Sequence, residues 1–220
     1  MNALFTVFLT LHIIGGAVGL FTGTINLVRK KGDRKHKLIG RLFVYGMLTA
    51  GVSSLVLSFI HPNYFLFIVG VFTIYLVFTG NRYLRLRMLG SNQRPKPLDW
   101  TVTIAMLLTG FLFVGLGIEH LFEKSNFGIV FIVFGLLGLR LVIADFKNYK
   151  GQICAKNYWL LSHLQRMVGA YIAAATAFLV VNADYFPKQI PSLVYWLLPT
   201  AILFPLIISW TRKYRVENKW

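Results

Sequence analysis

The chain is poor in acidic residues and nearly devoid of cysteine. Its 220 residues hold 7 Asp and Glu against 23 Lys and Arg, a formal charge of +16. No carboxylate falls in the middle of an apolar run, because Asp99, Glu119, Asp145 and Asp184 all sit near run ends. Proton- and sodium-coupled carriers place a carboxylate deep in the bilayer, so this distribution counts against them. The one cysteine, Cys154, excludes an intramolecular disulfide and any multi-cysteine metal or iron–sulfur centre. There is no GxSxG, no pair of catalytic carboxylates and no HxxxH of the kind seen in seven-helix zinc hydrolases. The last apolar run has no lysine for a retinal Schiff base. Charged residues make up 14% of the chain against 56% hydrophobic, a balance far from that of a soluble domain.

What the chain has is seven long apolar runs, at about 3–28, 42–61, 64–81, 99–119, 127–145, 158–182 and 190–210. About 20 apolar residues in a helix cross the ~30 Å hydrocarbon core. No alternating ten-residue pattern suggests a barrel. The cations alternate from loop to loop. Arg29, Lys30, Lys31, Arg34, Lys35, Lys37 and Arg41 follow the first run; Arg82, Arg85, Arg87, Arg94 and Lys96 follow the third. Lys147, Lys150 and Lys156 follow the fifth, and Arg212, Lys213, Arg215 and Lys219 end the chain, whereas the other three loops share only Lys124 and Lys188. Basic loops stay cytoplasmic, which predicts a seven-transmembrane-helix bundle, all-α and polytopic, with the N-terminus outside and the C-terminus cytoplasmic. The expected location is the bacterial inner membrane, with residues 1–220 forming one integral membrane domain. The same pattern accounts for the positive charge without nucleic acid; the basic loops face anionic lipid instead. The first run is too long for a signal-peptide core and should remain a helix. The longest non-helical stretch, about Tyr83 to Leu98, contains Gly90, Pro95 and Pro97 and reads as a connector.

Polar residues inside the runs are few. In the first, His12, Gly16, Gly19, Gly23 and Asn26 share one helical face, and Gly15, Gly19 and Gly23 form a ladder of small residues. Close helix packing is the simpler reading. The other is a face cut back to admit a flat cofactor, with His12 as an axial ligand. The sixth run repeats these offsets with His163, Met167, Ala170, Ala174 and Ala177, and Arg166 lies one turn inside its end. Snorkelling is one reading of Arg166, and a polar or cofactor contact is the other. His36, in the first basic loop, shares a face with Gly40 and Met47 if it opens the second helix, and Arg41 stands at the membrane boundary. His61 and His120 read as interfacial residues. Pro199 and Pro205 should bend the last helix.

Three segments resemble a bacterial family of predicted membrane proteins of unknown function. LHIIGGAVGLFTG (11–23) is similar to its first-helix pattern of a histidine and spaced glycines. KHKLIGRLFVYGML (35–48) resembles its His-x-x-x-Gly-Arg-hydrophobic-Tyr element through His36, Gly40, Arg41 and Tyr45. HLQRMVGAY (163–171) resembles its His-x-x-x-Met-x-x-x-Tyr element through His163, Met167 and Tyr171, departing at Gly169, where the family has arginine. The resemblance implies no activity, but it singles out His12, His36 and His163.

The sharpest functional expectation is therefore a histidine-ligated redox protein carrying b-type haem or a metal. His12, His36 and His163 are its candidate ligands, and Arg41 and Arg166 could bind propionates. From their depths in the runs, His12 and His163 differ in height by roughly 9 Å at 1.5 Å per residue. Two axial nitrogens on one iron lie only about 4 Å apart, from bonds of order 2 Å. His36 with His163 is the better inner pair if the second or the sixth helix extends beyond the core. The alternatives are a small-molecule, lipid or ion permease, and a non-catalytic accessory subunit whose small-residue faces bind other membrane subunits.

Overall fold

The apolar runs do form helices, because in lipid each backbone N–H and C=O has to be satisfied within its own segment. The computed structural model describes residues 3–125, 127–187 and 189–217; Lys188 and Lys219, counted above among the cations, lie outside them. Among the described residues are α1 (Ala3–Val28), α2 (Arg34–Ile60), α3 (Tyr64–Tyr83), α4 (Pro97–Phe122), α5 (Phe127–Tyr149), α6 (Tyr158–Val181) and α7 (Ser192–Tyr214), with one 3₁₀ turn at Ala183–Tyr185 and no strand. All seven helices are long and apolar enough to cross a membrane. This is the all-α, seven-span architecture read from the sequence. Hydroxyls inside the spans donate back to carbonyls a turn away, as Thr22 does to Val18 (2.6 Å) and Ser53 to Thr49 (2.6 Å), so they add no unmet group.

Several helices overrun their apolar runs at the basic ends. α2 starts at Arg34 and not near residue 42, because Asp33 caps it: its carboxylate accepts the His36 N–H at 2.5 Å. The two added turns carry His36, Gly40 and Arg41 onto helix. That hydrogen bond, reinforced by Arg29, holds the Asp33 carboxyl below its usual range. A depressed carboxyl stabilises above its unfolded pKa and stops doing so as pH falls through its folded one. Acidification below about pH 4 should therefore speed amide exchange in the first turn of α2, measurable by hydrogen-exchange mass spectrometry. α4 opens on Pro97, with the Asp99 carboxylate accepting the Lys96 N–H at 2.7 Å. α7 contains Pro199 and Pro205 and runs on to Tyr214, with Arg212 and Lys213 in its last turn.

The chain divides into two compact units, residues 1–81 with 161–214 and residues 82–160 with 215–220. In the first, α1 and α2 cross with backbones in contact. A Cβ on Gly15 would lie 2.7 Å from the Gly46 carbonyl oxygen and 2.9 Å from the Ala50 nitrogen, and one on Gly46 would lie 2.9 Å from the Gly15 oxygen. The glycine ladder of α1 is thus filled by α2 at Gly15 and Gly19, and chiefly by the Tyr171 ring of α6 at Gly23, as close packing requires.

In the second unit α4 and α5 cross in the same manner, a Cβ on Gly117 falling 2.8 Å from the Gly128 oxygen. The expected connector after α3 has its own small core: Leu86, Leu89, Tyr83, Tyr149 and Tyr158 are buried, with Trp100 and Trp159 packed against them. Tyr158 donates its hydroxyl to the Leu86 carbonyl and accepts the Leu89 N–H (2.9 Å). Gly90 and Gly151, both at positive φ (+83° and +77°), meet back to back, a Cβ on Gly90 reaching 2.9 Å from the Gly151 Cα. Side chains at those positions would meet both strain and a clash.

Two carboxylates that lie near run ends in the sequence are fully enclosed in this unit. Asp99 takes two bonds from Arg82 (Nε at 2.6 Å, Nη2 at 3.0 Å). Asp145 accepts the Tyr83 hydroxyl at 2.6 Å and the Thr103 hydroxyl at 3.3 Å, and Thr103 also meets the Tyr149 hydroxyl at 3.2 Å. Both aspartates are buried to about 1% exposure or less. Asp145→Ala should remove a buried acceptor of the Tyr83 and Thr103 hydroxyls and cost on the order of 1–3 kcal/mol. The drop should appear as a lower unfolding midpoint in a detergent–SDS titration.

Candidate functional site

Polar side chains of the first unit gather where α1 turns into α2. Lys31 turns back to donate to the carbonyls of Asn26 (2.7 Å), Leu27 (2.7 Å) and Arg29 (3.0 Å), closing the end of α1, and its ammonium lies 4.4 Å over the Trp210 ring. Burial lowers its pKa from that of an ordinary lysine. Asn26 donates to the His36 carbonyl at 3.2 Å, and a Cβ on Gly40 would lie 3.3 Å from the same amide nitrogen. Arg29 binds Asp33 at 3.1 Å. Within this ring of contacts, Asn26 Oδ1, Arg29 Nε and His36 Nδ1 are buried without a hydrogen-bond partner. Buried polar atoms are almost always paired, so three orphans in one connected cluster mark it as a place built for more than its own packing.

His163 lies within electrostatic reach of His36. Its Nδ1 is 2.9 Å from the Gly80 carbonyl. A carbonyl only accepts, so Nδ1 carries the proton and Nε2 presents a lone pair. Gly80 lets α6 come this close: a Cβ there would sit 2.9 Å from both the Arg166 Cβ and the Met167 Cε. Arg166 is 2% exposed and its guanidinium lies 5.3 Å from the Tyr75 ring centroid. It is turned into the protein and does not snorkel.

The remaining sequence candidates lie elsewhere. His12 places its Nδ1 3.0 Å from the Ala50 carbonyl, and Ala50 is fourteen residues along α2 from His36, about 21 Å at 1.5 Å per residue. His36 and His163 belong to the same unit, and His12 meets α2 at a level far from His36. Arg41 is exposed. His61 packs edge-on against Phe5 (4.7 Å between centroids), and His120 Nδ1 meets its own helix at the Leu116 carbonyl (2.9 Å). Among the described residues no three His, Cys, Asp or Glu side chains are grouped to hold a metal ion.

The sequence reading missed Asn26 as a partner of His36, and it left Arg29 and Asp33 as loop charges. The available signal was the Asp-x-x-His spacing of Asp33 and His36, which is that of a capped helix start.

The matched stretch of chain begins in α1 and ends in the connector after α3. Residues 9–92 match the family described as predicted membrane protein (DUF2306). The DUF2306 match contains two of the three resembling segments, with His12, His36 and Arg41; His163, Arg166 and Tyr171 lie beyond it. No curated protein and no solved structure matches the chain.

Proposed function

We propose that this chain is a redox protein of the bacterial cytoplasmic membrane, in which His36 and His163 ligate a b-type haem or related metal centre at the basic end of α1 and α2. The observation that carries the reading is the state of His163: its Nδ1–H is committed to Gly80, so Nε2 is free to ligate, the arrangement in which a backbone carbonyl orients a metal-bound imidazole. The buried Nδ1 of His36, without a hydrogen-bond partner, supplies the second nitrogen of the proposed pair. A haem so held would supply one-electron chemistry. The chain's own residues fix the imidazoles through Gly80, Asp33 and Asn26. Arg166, buried one helical turn from His163, holds a positive charge suited to a propionate. His12 and Arg41 have no part in this centre.

In the orientation set by the cations, the basic α1–α2 turn faces the cytoplasm and α1 begins outside, placing the centre at the inner face. The deciding experiment is an absorbance spectrum of detergent-purified protein, expressed with haem precursor, oxidised and then reduced with dithionite, with metal analysis of the same sample. A Soret band with sharpened reduced α and β bands supports the centre. A colourless protein free of stoichiometric metal overturns it and leaves the permease reading, which the two prolines of α7 favour, or an assembly role with other membrane subunits.

A further inference from the structure

The first unit carries an open groove of about 470 Å³ between α1 and α6. Ala17, Leu20 and Thr24 line it from α1, and Tyr171 and Ala175 from α6, while Phe21 and Phe178 stand as its rims at 70% and 51% exposure. Its walls are almost wholly apolar. The polar feature sits at one end, where the Thr24 and Tyr171 hydroxyls are 2.6 Å apart. Gly23 makes that end possible, because the Tyr171 ring occupies the space a side chain would take.

From Ala17 to Thr24 the groove runs about 10 Å at 1.5 Å per residue, which fits within one leaflet of a ~30 Å core. Its hydroxyl end points down α1 toward the basic turn. Lys30 is exposed two residues beyond α1. The Lys31–Trp210 stack brings the last turn of α7 beside the same end of α1, adding the exposed Arg212 and Lys213. An apolar slot that fits within one leaflet, a hydroxyl pair at its mouth and cations at the basic turns further along match part of an acyl chain, its glycerol ester region and a phosphate, in that order.

We infer that the α1–α6 groove is a binding site for one anionic phospholipid of the leaflet that the basic turns face, with an acyl chain against Ala17 and Ala175, an ester oxygen accepting from the Tyr171 hydroxyl as it turns from Thr24 (which itself donates to the Leu20 carbonyl at 2.8 Å), and the phosphate among Lys30, Arg212 and Lys213. The inference is independent of the redox reading and uses none of its ligands.

The test uses full-length protein in nanodiscs made from equimolar palmitoyl-oleoyl phosphatidylglycerol and phosphatidylcholine, with retained lipid counted by native mass spectrometry after release into detergent. Roughly thirtyfold or greater enrichment of phosphatidylglycerol in a one-lipid adduct is expected, as two or three cations near the headgroup would give. Ala17→Trp with Ala175→Trp fills the slot and should abolish the adduct. The triple variant Lys30→Ser, Arg212→Ser, Lys213→Ser should keep an adduct but lose the preference. Both variants should leave the unfolding midpoint in lipid-free detergent within a few degrees of wild type, which separates loss of the site from loss of the fold. Equal retention of the two lipids, an adduct that survives the double tryptophan variant, or an isoprenoid quinone or a second copy of the chain found in the groove would each overturn the inference.

Discussion

His163→Ala should yield a protein that inserts, purifies and unfolds nearly as wild type but whose reduced α-band absorbance falls at least tenfold. The expectation follows from the imidazole's two nitrogens having separate tasks. Nδ1 is tied to Gly80, and losing one hydrogen bond costs only about 1 kcal/mol. The ligand nitrogen has no substitute within reach except His36, and one axial imidazole cannot do the work of two. His36→Ala should bring a similar loss. His12→Ala should not, being separated from His36 by about four helical turns of α2. If His12→Ala bleaches the protein while His163→Ala leaves it coloured, the centre belongs at the opposite end of α1 and the present assignment is wrong. The three variants side by side therefore locate the centre as well as detect it.

Gly15→Leu should be the most damaging single substitution in α1, and Gly16→Leu among the mildest. The two residues are adjacent and identical, yet a Cβ on Gly15 meets the backbone of Gly46 and Ala50 at 2.7 and 2.9 Å, whereas one on Gly16 meets nothing within 4 Å. Backbone cannot rotate away as a side chain can. Overpacking of this kind costs about 1–3 kcal/mol and more where nothing yields. The expected result is loss of monodisperse protein on size-exclusion chromatography for Gly15→Leu and an unchanged profile for Gly16→Leu. Equal behaviour of the two would mean that α1 does not cross α2 through this face. The pair also separates the two original readings of the glycine face, since the residue that α2 presses against is Gly15 and the one left open is Gly16.

Helix number and helix type were legible in the sequence because twenty apolar residues leave the backbone few options in lipid. Helix ends were less legible. The run that starts near residue 42 begins eight residues after α2 does, because a hydropathy pattern stops at the cations while a capped helix continues through them. Of the candidate residues, depth along the runs already set His12 apart from His163, by roughly 9 Å at 1.5 Å per residue; which level of α2 the His12 ring meets was not legible, since it depends on how the two helices cross. Asp99 and Asp145 illustrate the same limit. Near the ends of their runs they look exposed, and only the meeting of Arg82, Tyr83 and Thr103 around them encloses them. Nothing in a one-dimensional pattern reports such convergence. Tyr171 is the converse case, a residue noted only as part of a motif that turns out to fill the gap left by Gly23 on another helix.

The Lys31 contacts bear on how the chain acquires its orientation. Arg29 ends in an ion pair with Asp33, and Lys31 ends on the carbonyls of α1 and the face of Trp210. The Arg29–Asp33 pair and the Lys31 bonds to its own helix end are local and form as soon as the turn is made, whereas the Lys31–Trp210 stack waits for α7, about 180 residues later in the chain. Lys31 therefore serves the turn during insertion and is fastened to the late helix only once that helix arrives. A substitution at Lys31 would act on biogenesis first and on the finished protein later.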